Sequence, residues 1–190
     1  MTKPAGWIAA VIMLGLWTAH AAAAADDWTR PVEVTFDQKR CISFRAALIG
    51  QYLAVEATIE PGWHTFAMDN TLRAAEKLAG RKSLSQDMPT EIDLTNGLEV
   101  SGPWLQSSPR DFSRPELRWF SWGFVDRALF AAQVRRSGEG PGQIALRGQV
   151  CTETTCKRID VAISVTFPPA GSKPDTANPD LKDLIQVRSK

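Results

Sequence analysis

Apolar residues recur at every second position in two runs near the end of the sequence, on either side of Cys151 and Cys156. This alternation predicts two half-buried β-strands. The four residues between the cysteines suit a hairpin connection, so we expect an antiparallel hairpin with one cysteine at each end of its loop. The alternating residues are Ile144, Leu146, Val150, Ile159, Val161, Ile163, Val165 and Phe167.

Similar alternation, interrupted by turn residues, covers most of the remaining chain. A segment at 70–82 instead has apolar residues at helical spacing and predicts one short surface helix. Residues 101–115 contain three prolines and little periodicity, which predicts an irregular loop. These elements predict an all-β fold: an immunoglobulin-like antiparallel β-sandwich with one short inserted helix. The other predicted strands are 32–36, 41–48, 52–59, 89–94, 98–100 and, within 118–134, either one long strand or a bent pair of strands.

The first 25 residues have the composition of a secretory signal peptide. Lys3 precedes an apolar run that ends at Trp17, and small residues continue to Ala25. The run is shorter than the roughly 20 residues that span a bilayer, which disfavours a membrane anchor. We therefore expect export to the periplasm. The resulting division is a signal peptide (1–25), one folded domain (26–167) and a flexible polar C-terminal tail (168–190).

The charge balance and the expected compartment narrow the function. Lys and Arg total 22, of which Lys3 belongs to the signal peptide, and Asp and Glu total 21. A balanced mature protein argues against nucleic acid or an anionic membrane surface as the main partner. Export to an oxidising compartment allows Cys151 and Cys156 to pair. Cys41 is left over, and we interpret it as an inert, buried small residue.

The cysteine pair has two interpretations on the residues alone. Parity puts Cys151 and Cys156 on the polar face of their strands, where a partner thiolate can reach them. As a structural crosslink, a loop this short contributes only roughly 2 kcal/mol, less than a crosslink between distant strands. The redox-active and the structural interpretation stay equally open at this point.

Metal binding and nucleophilic catalysis are the other uses of these residue types. A structural zinc site needs four ligands. The mature chain offers three cysteines and His64, because His20 belongs to the signal peptide. We therefore expect no metal and no cofactor. His64 follows a Pro-Gly turn at a strand start, where a histidine is more often structural than a base, and its role stays open.

Several motifs resemble one known family. Residues 149–156, followed by the alternating strand, resemble the active-site hairpin of the disulfide bond corrector family, the N-terminal periplasmic domain of the thiol:disulfide interchange reductase DsbD. Residues 59–64 resemble that family's Pro-Gly-Trp-His signature. Residues 89–92 and 102–104 fall in the matching order between the two. The similarity spans residues 32–167.

The resemblance implies an immunoglobulin-like sandwich that carries electrons. Family members receive electrons from a membrane thiol-disulfide reductase and pass them to thioredoxin-like or disulfide isomerase-type exported proteins. By resemblance, Cys156 would form the mixed disulfide with a partner, Cys151 would resolve it, and Phe112 is the candidate for the cap-loop phenylalanine that shields the pair.

The printed sequence continues into neither transmembrane helices nor a thioredoxin-like domain, so we expect the electron donor to be a separate protein. We expect the carrier itself to be a monomer. The alternative is a non-catalytic immunoglobulin-like binding or assembly module whose disulfide holds a hairpin.

Overall fold

The alternating segments form two antiparallel sheets in the computed structural model, which describes residues 28–79, 81, 84, 87–167 and 181–189. The predicted signal peptide lies outside the described residues. The strands are β1 (Val32–Phe36), β2 (Lys39–Ile49), β3 (Tyr52–Ile59), β4 (His64–Phe66), β5 (Glu91–Thr95), β6 (Leu98–Ser107), β7 (Arg110–Asp111), β8 (Trp122–Phe124), β9 (Arg127–Arg136), β10 (Gly142–Cys151), β11 (Cys156–Val165) and β12 (Leu184–Gln186).

The first sheet has the order β1-β2-β3-β9-β6-β12, and the second has the order β11-β10-β4-β8-β7, with β5 paired to β10 beyond the end of β4. One α-helix, α1 (Asn70–Leu78), and a short 3₁₀ helix (Pro115–Leu117) are the helical elements of the described residues. The prediction of an all-β antiparallel sandwich with one short helix is confirmed.

The core lies between the sheets, and strands such as β10 contribute every second residue to it. Its largest members are fully buried, and burial of each such side chain contributes roughly 1.5–3 kcal/mol. Since β10 and β11 contribute alternate residues to this core, their other parity must face outward. The largest buried core side chains include Phe44, Leu53, Phe130, Ile144, Leu146 and Ile159.

One predicted loop differs from the structure, and one open alternative is resolved by it. The segment 101–115 is not an irregular loop throughout, because β6 continues to Ser107 and pairs with β9 on both sides of a register shift between Val100 and Trp104. Of the two alternatives for 118–134, the structure has the bent pair, whose halves β8 and β9 belong to different sheets. Asp126, with a φ of 61°, lies where the chain crosses from one sheet to the other.

The prediction of a flexible tail is wrong for the last part of the chain. Residues 168–180 lie outside the described residues, but β12 pairs with β6 at the edge of the first sheet. The Arg188 side chain also forms an ion pair with Glu76 of α1. Edge pairing satisfies backbone groups of β6, so this segment belongs to the folded domain.

The predicted helix is confirmed as α1. It ends at Ala79, whose left-handed conformation lets its N–H bond the carbonyl oxygens of Ala75 and Glu76. Within the described ranges, no helix has the length and apolar character required to cross a membrane.

Candidate redox site at the end of the β10–β11 hairpin

The predicted hairpin is confirmed residue by residue. β10 and β11 pair without a break from Gly142 opposite Val165 to Cys151 opposite Cys156. The two cysteines form a disulfide, and their Cα atoms are 4.0 Å apart. A directly opposed pair on adjacent strands brings the two side chains together, which accounts for the crosslink.

Thr152 organises the four-residue loop between the cysteines. Its N–H donates to the carbonyl oxygen of Thr155 at 2.7 Å, and its Oγ1 accepts from the N–H groups of Thr154 and Thr155 at 3.3 and 3.1 Å. A threonine that bonds its own loop in this way fixes a tight turn. The disulfide therefore spans a well-ordered loop.

The two sulfurs differ in exposure, although they share one face of the sheet. Val150 points into the core, so the neighbouring Cys151 points to the outer face, as predicted. Cys151 nevertheless is only 2% exposed, whereas Cys156 is exposed. The prediction that both cysteines face solvent is correct for Cys156 and wrong for Cys151, because other parts of the chain cover the outer face beside β10.

The first of these covering groups is His64, which pairs directly with Cys151 across β10 and β4. Cys156, Cys151 and His64 thus form a row across three adjacent strands, with their side chains on the same face. The Thr65 hydroxyl donates to the carbonyl oxygen of Gln149 at 2.9 Å, which holds β4 in this register. Directly opposed residues have Cβ atoms roughly 5 Å apart, so His64 is the immediate neighbour of Cys151.

The second covering group is Phe112. It lies in the segment 110–121, which begins with β7 and ends just before β8. Its ring lies against the ring of His64, with centroids 5.1 Å apart. It also lies over Gly123, where an added Cβ would be 3.2 Å from Phe112 Cε2 and 2.0 Å from the Thr65 carbonyl oxygen. Glycine at 123 therefore permits the close approach of β4, β8 and the Phe112 ring.

The 110–121 segment is held by its own hydrogen bonds, by the pairing of β7 with β8 and by a bond to Asp87. The Phe112 N–H donates to Ser121 O at 2.9 Å, and Arg114 and Trp119 exchange backbone bonds at 2.7 and 3.1 Å. The Trp119 indole N–H donates to Asp87 Oδ2 at 2.9 Å. Among the described residues, the buried Ser121 hydroxyl has no partner, so the observed arrangement of this segment leaves one polar group unsatisfied.

The environment of His64 disfavours its charged form. Burial lowers the pKa of the imidazole, and the negative charge of Asp87 opposes this shift only in part, so the net direction is downward. The ring also lies edge-on to Phe66, with centroids 5.3 Å apart. His64 is therefore a neutral base near neutral pH, placed next to a sulfur.

Cys41 lies apart from this row, in β2 of the other sheet. Its side chain is 0% exposed, and burial raises the pKa of its thiol. A buried thiol with a raised pKa is a poor nucleophile. These features fit the interpretation of Cys41 as an inert core residue.

Three groups at the site could not be assigned from sequence. The role of His64 stayed open, and neither Asp87 nor Trp119 was predicted to lie near the cysteines. The only sequence signal at these three positions is the Pro-Gly turn before His64, which fixes the start of β4. The sequence gives no comparable signal for Asp87 or Trp119. Within the described part of the chain, no group of three or more His, Cys, Asp or Glu side chains is arranged to hold a metal ion.

The sequence matches no protein-family model and no curated protein. Among solved structures, the reduced N-terminal domain of DsbD from Neisseria meningitidis is similar at 13% identity and a TM-score of 0.39, over 65% of this chain and 83% of that one. The GAE domain of a GGA protein from Saccharomyces cerevisiae is similar at 5% identity and a TM-score of 0.35, over 72% and 98%. With both TM-scores below 0.5, interpretation of the site rests on the geometry of this chain.

Proposed function

We propose that this protein is a periplasmic thiol:disulfide carrier that passes electrons from a membrane reductase to exported thiol-disulfide proteins through Cys151 and Cys156. The observation that carries the proposal is the unequal exposure of one disulfide's two sulfurs at a hairpin end. An accessible sulfur bonded to a protected one directs exchange to a single atom.

In the reduced protein, the Cys156 thiolate attacks a disulfide of the exported partner. A bond forms between Cys156 and the partner, and the partner's other sulfur leaves with the electron pair. Cys151 then attacks Cys156 Sγ, which re-forms the internal disulfide and releases the partner's remaining sulfur as a thiolate. The partner gains two electrons, and a donor dithiol reduces the carrier by the reverse sequence.

The 110–121 segment supports this proposal as a cover for the protected sulfur. Phe112 lies against His64, which borders Cys151, so the segment shields that side of the disulfide. The unpartnered Ser121 hydroxyl means that opening the segment exposes a polar group that gains hydrogen bonds to water. We assign Phe112 the role of the cap-loop residue on this basis.

The compartment and the partner classes come from the sequence motifs. The hairpin 149–156 and the Pro61-Gly62-Trp63-His64 run resemble the disulfide bond corrector family, whose members exchange electrons with a membrane reductase and with thioredoxin-like proteins. The structure places these two motifs on neighbouring strands, with Cys151 opposite His64. The two motifs that carry the resemblance therefore lie side by side in the fold.

The reduction potential of the Cys151–Cys156 pair tests the proposal. Equilibration of the purified domain in defined thiol-disulfide buffers should give a value between about −120 and −270 mV, the range of exchange-active proteins. A value well below about −300 mV would identify a structural disulfide and leave an immunoglobulin-like binding or assembly module. The ordered Thr152 loop is the feature that favours this second function.

A further inference from the structure

The row Cys156, Cys151 and His64 contains one group that the exchange chemistry above does not use. His64 is the cross-strand neighbour of the buried sulfur, and its ring is confined between Phe66 and Phe112. Among the described residues the ring nitrogens have no hydrogen-bond partner. A half-buried imidazole that no protein group bonds, beside a sulfur, is free to accept or release a proton.

We propose that His64 is the base that removes the proton from Cys151 when this cysteine attacks the mixed disulfide on Cys156. The inference rests on the proposed function, because it assigns a group to one of its two steps. Cys151 needs such a group because it is buried, and burial disfavours an unassisted thiolate.

In this step a proton moves from Cys151 to His64 while the internal disulfide forms. The Cys151 S–H bond breaks, its proton goes to a ring nitrogen of His64, and the sulfur electron pair forms the bond to Cys156 Sγ. The Cys156–partner bond breaks, and its electron pair leaves on the partner sulfur. His64 then returns its proton to the departing thiolate or to water. When a donor reduces the carrier, protonated His64 supplies the proton to the Cys151 sulfur as it leaves Cys156.

The charged surroundings of His64 agree with a base that is neutral before the step. Asp87, the charged group whose field acts on the ring, favours the imidazolium that forms when His64 takes the proton. Asp87 also accepts the Trp119 indole N–H, so it is fixed in position. On β10, the titratable group that faces His64 is Cys151. On the 110–121 segment, the nearest charged residues in the chain are Arg110 and Asp111, which precede Phe112 and are exposed.

The aromatic disulfide DTNB separates the two steps on the reduced protein. Attack by Cys156 releases a first equivalent of coloured thiolate, and attack by Cys151 on the resulting adduct releases a second. The buried Cys41 contributes to neither phase. H64Q should slow the second phase by about a hundredfold at pH 7 and leave the first within a few-fold. An unchanged second-phase rate in H64Q would show that His64 is not the base.

The pH profile distinguishes a base from a packing residue. In the unaltered protein, the second-phase rate should show an inflection at the His64 pKa, measured independently by NMR of the imidazole, which is the sole histidine outside residues 1–25. H64F keeps a ring between the two phenylalanines and should lose the inflection as H64Q does. If the unaltered protein shows no inflection at that pKa, the assignment is wrong, even where a variant fails to fold.

A control and a separate outcome isolate this inference from the proposed function. K157Q changes an exposed charge beside Cys156 and should keep the second-phase inflection. Loss of the inflection in K157Q would assign it to the surface charge near Cys156 and overturn the role of His64.

If Cys156 reacts but the adduct persists in the unaltered protein, then Cys151 does not resolve it, and the proposed function fails together with this inference. A normal second phase that is insensitive to His64 removes the base alone.

Discussion

Two clusters with a titratable side chain lie close together in the chain, and they differ in burial and in the hydrogen bonds that this side chain forms. Asp69, at the start of α1, is 3% exposed. Its Oδ1 accepts from Arg73 Nε at 2.7 Å and from Gln106 Nε2 at 2.8 Å, and its Oδ2 accepts from the Arg188 N–H at 3.2 Å. This cluster connects α1, β6 and the C-terminal segment, and its carboxylate is fully paired.

The His64 cluster is the opposite case. His64 has ring contacts with Phe66 and Phe112, and the sulfur beside it is buried without polar partners among the described residues. A satisfied buried network stabilises one arrangement, whereas a half-buried titratable group that no protein group bonds, beside a bond that can break, is suited to chemistry. The comparison predicts that the first cluster governs stability and the second governs reactivity.

The largest expected effect is on stability, from Asp69→Ala. Removal of the carboxylate leaves Arg73 and the Gln106 amide without their acceptor, and loss of one partner of a buried ion pair costs about 3–5 kcal/mol. Urea unfolding measures this cost. The matched change H64Q should cost less than about 1 kcal/mol. Equal costs for the two variants would remove the distinction between the clusters.

Acid should produce part of the same loss. Burial raises the pKa of Asp69, but the bonds from Arg73, Gln106 and the Arg188 N–H together outweigh it, and the net shift is downward. A carboxyl with a lowered folded pKa contributes stability above its unfolded pKa of about 3.9, and this contribution disappears as pH falls through the folded value. Denaturation at pH 7 and pH 3 should show a steeper decline in the unaltered protein than in D69N.

Gly123→Ala should disturb the second cluster through the backbone. The new Cβ would lie 2.0 Å from Thr65 O, so β4 and β8 must separate, at a cost of about 2–3 kcal/mol. Because β4 carries His64, the disulfide should become easier for dithiothreitol to reduce. Gly138→Ala is the control, since its nearest contact is 3.4 Å and its cost should stay within about 0.5 kcal/mol. A folded G123A with unchanged stability and reduction rate would contradict the packing described here.

Phe112→Ala should affect reactivity more than folding. The ring is half-buried, so its removal should cost only about 1–2 kcal/mol, less than for a core phenylalanine. Exposure of His64 and Cys151 should speed disulfide reduction by dithiothreitol several-fold. Leu117→Ala, in the same segment but exposed, is the matched control. Reduction rates that do not distinguish F112A from L117A would exclude Phe112 as a cover.

Trp119→Phe should give the smallest effect. It removes the indole bond to Asp87 but keeps an aromatic ring, with a cost of about 1 kcal/mol or less at this exposed position. Hydrogen exchange of the Phe112 and Arg114 amides should become faster, because the 110–121 segment loses its bond to residue 87. Slower disulfide reduction in W119F than in the unaltered protein would contradict a holding role for this bond.

The hairpin and the sandwich could be predicted because their signals are local. Alternation through Ile144 and Val165, with four residues between the cysteines, determined both strands and their register. The strand β12 could not be predicted in this way. It has three residues, and it exists because the distant edge of β6 offers backbone partners.

The exposure of the cysteines could be predicted only in part for the same reason. Parity correctly assigned Cys151 to the outer face, but its burial depends on β4 and on the 110–121 segment, which are distant in sequence. The pairing of His64 with Cys151 is likewise set by a non-local register. Sequence reasoning therefore located the cysteine pair, and tertiary packing determined which of the two cysteines is exposed.

The measurement that most directly tests the central claim is which sulfur accepts a partner. Reduced C151A and C156A would each be mixed with oxidised glutathione, and the rate and position of the adduct determined by mass spectrometry of peptides. The unequal exposure predicts rapid modification of Cys156 in C151A and slow modification of Cys151 in C156A. Equal rates, or faster modification of Cys151, would contradict exchange through Cys156.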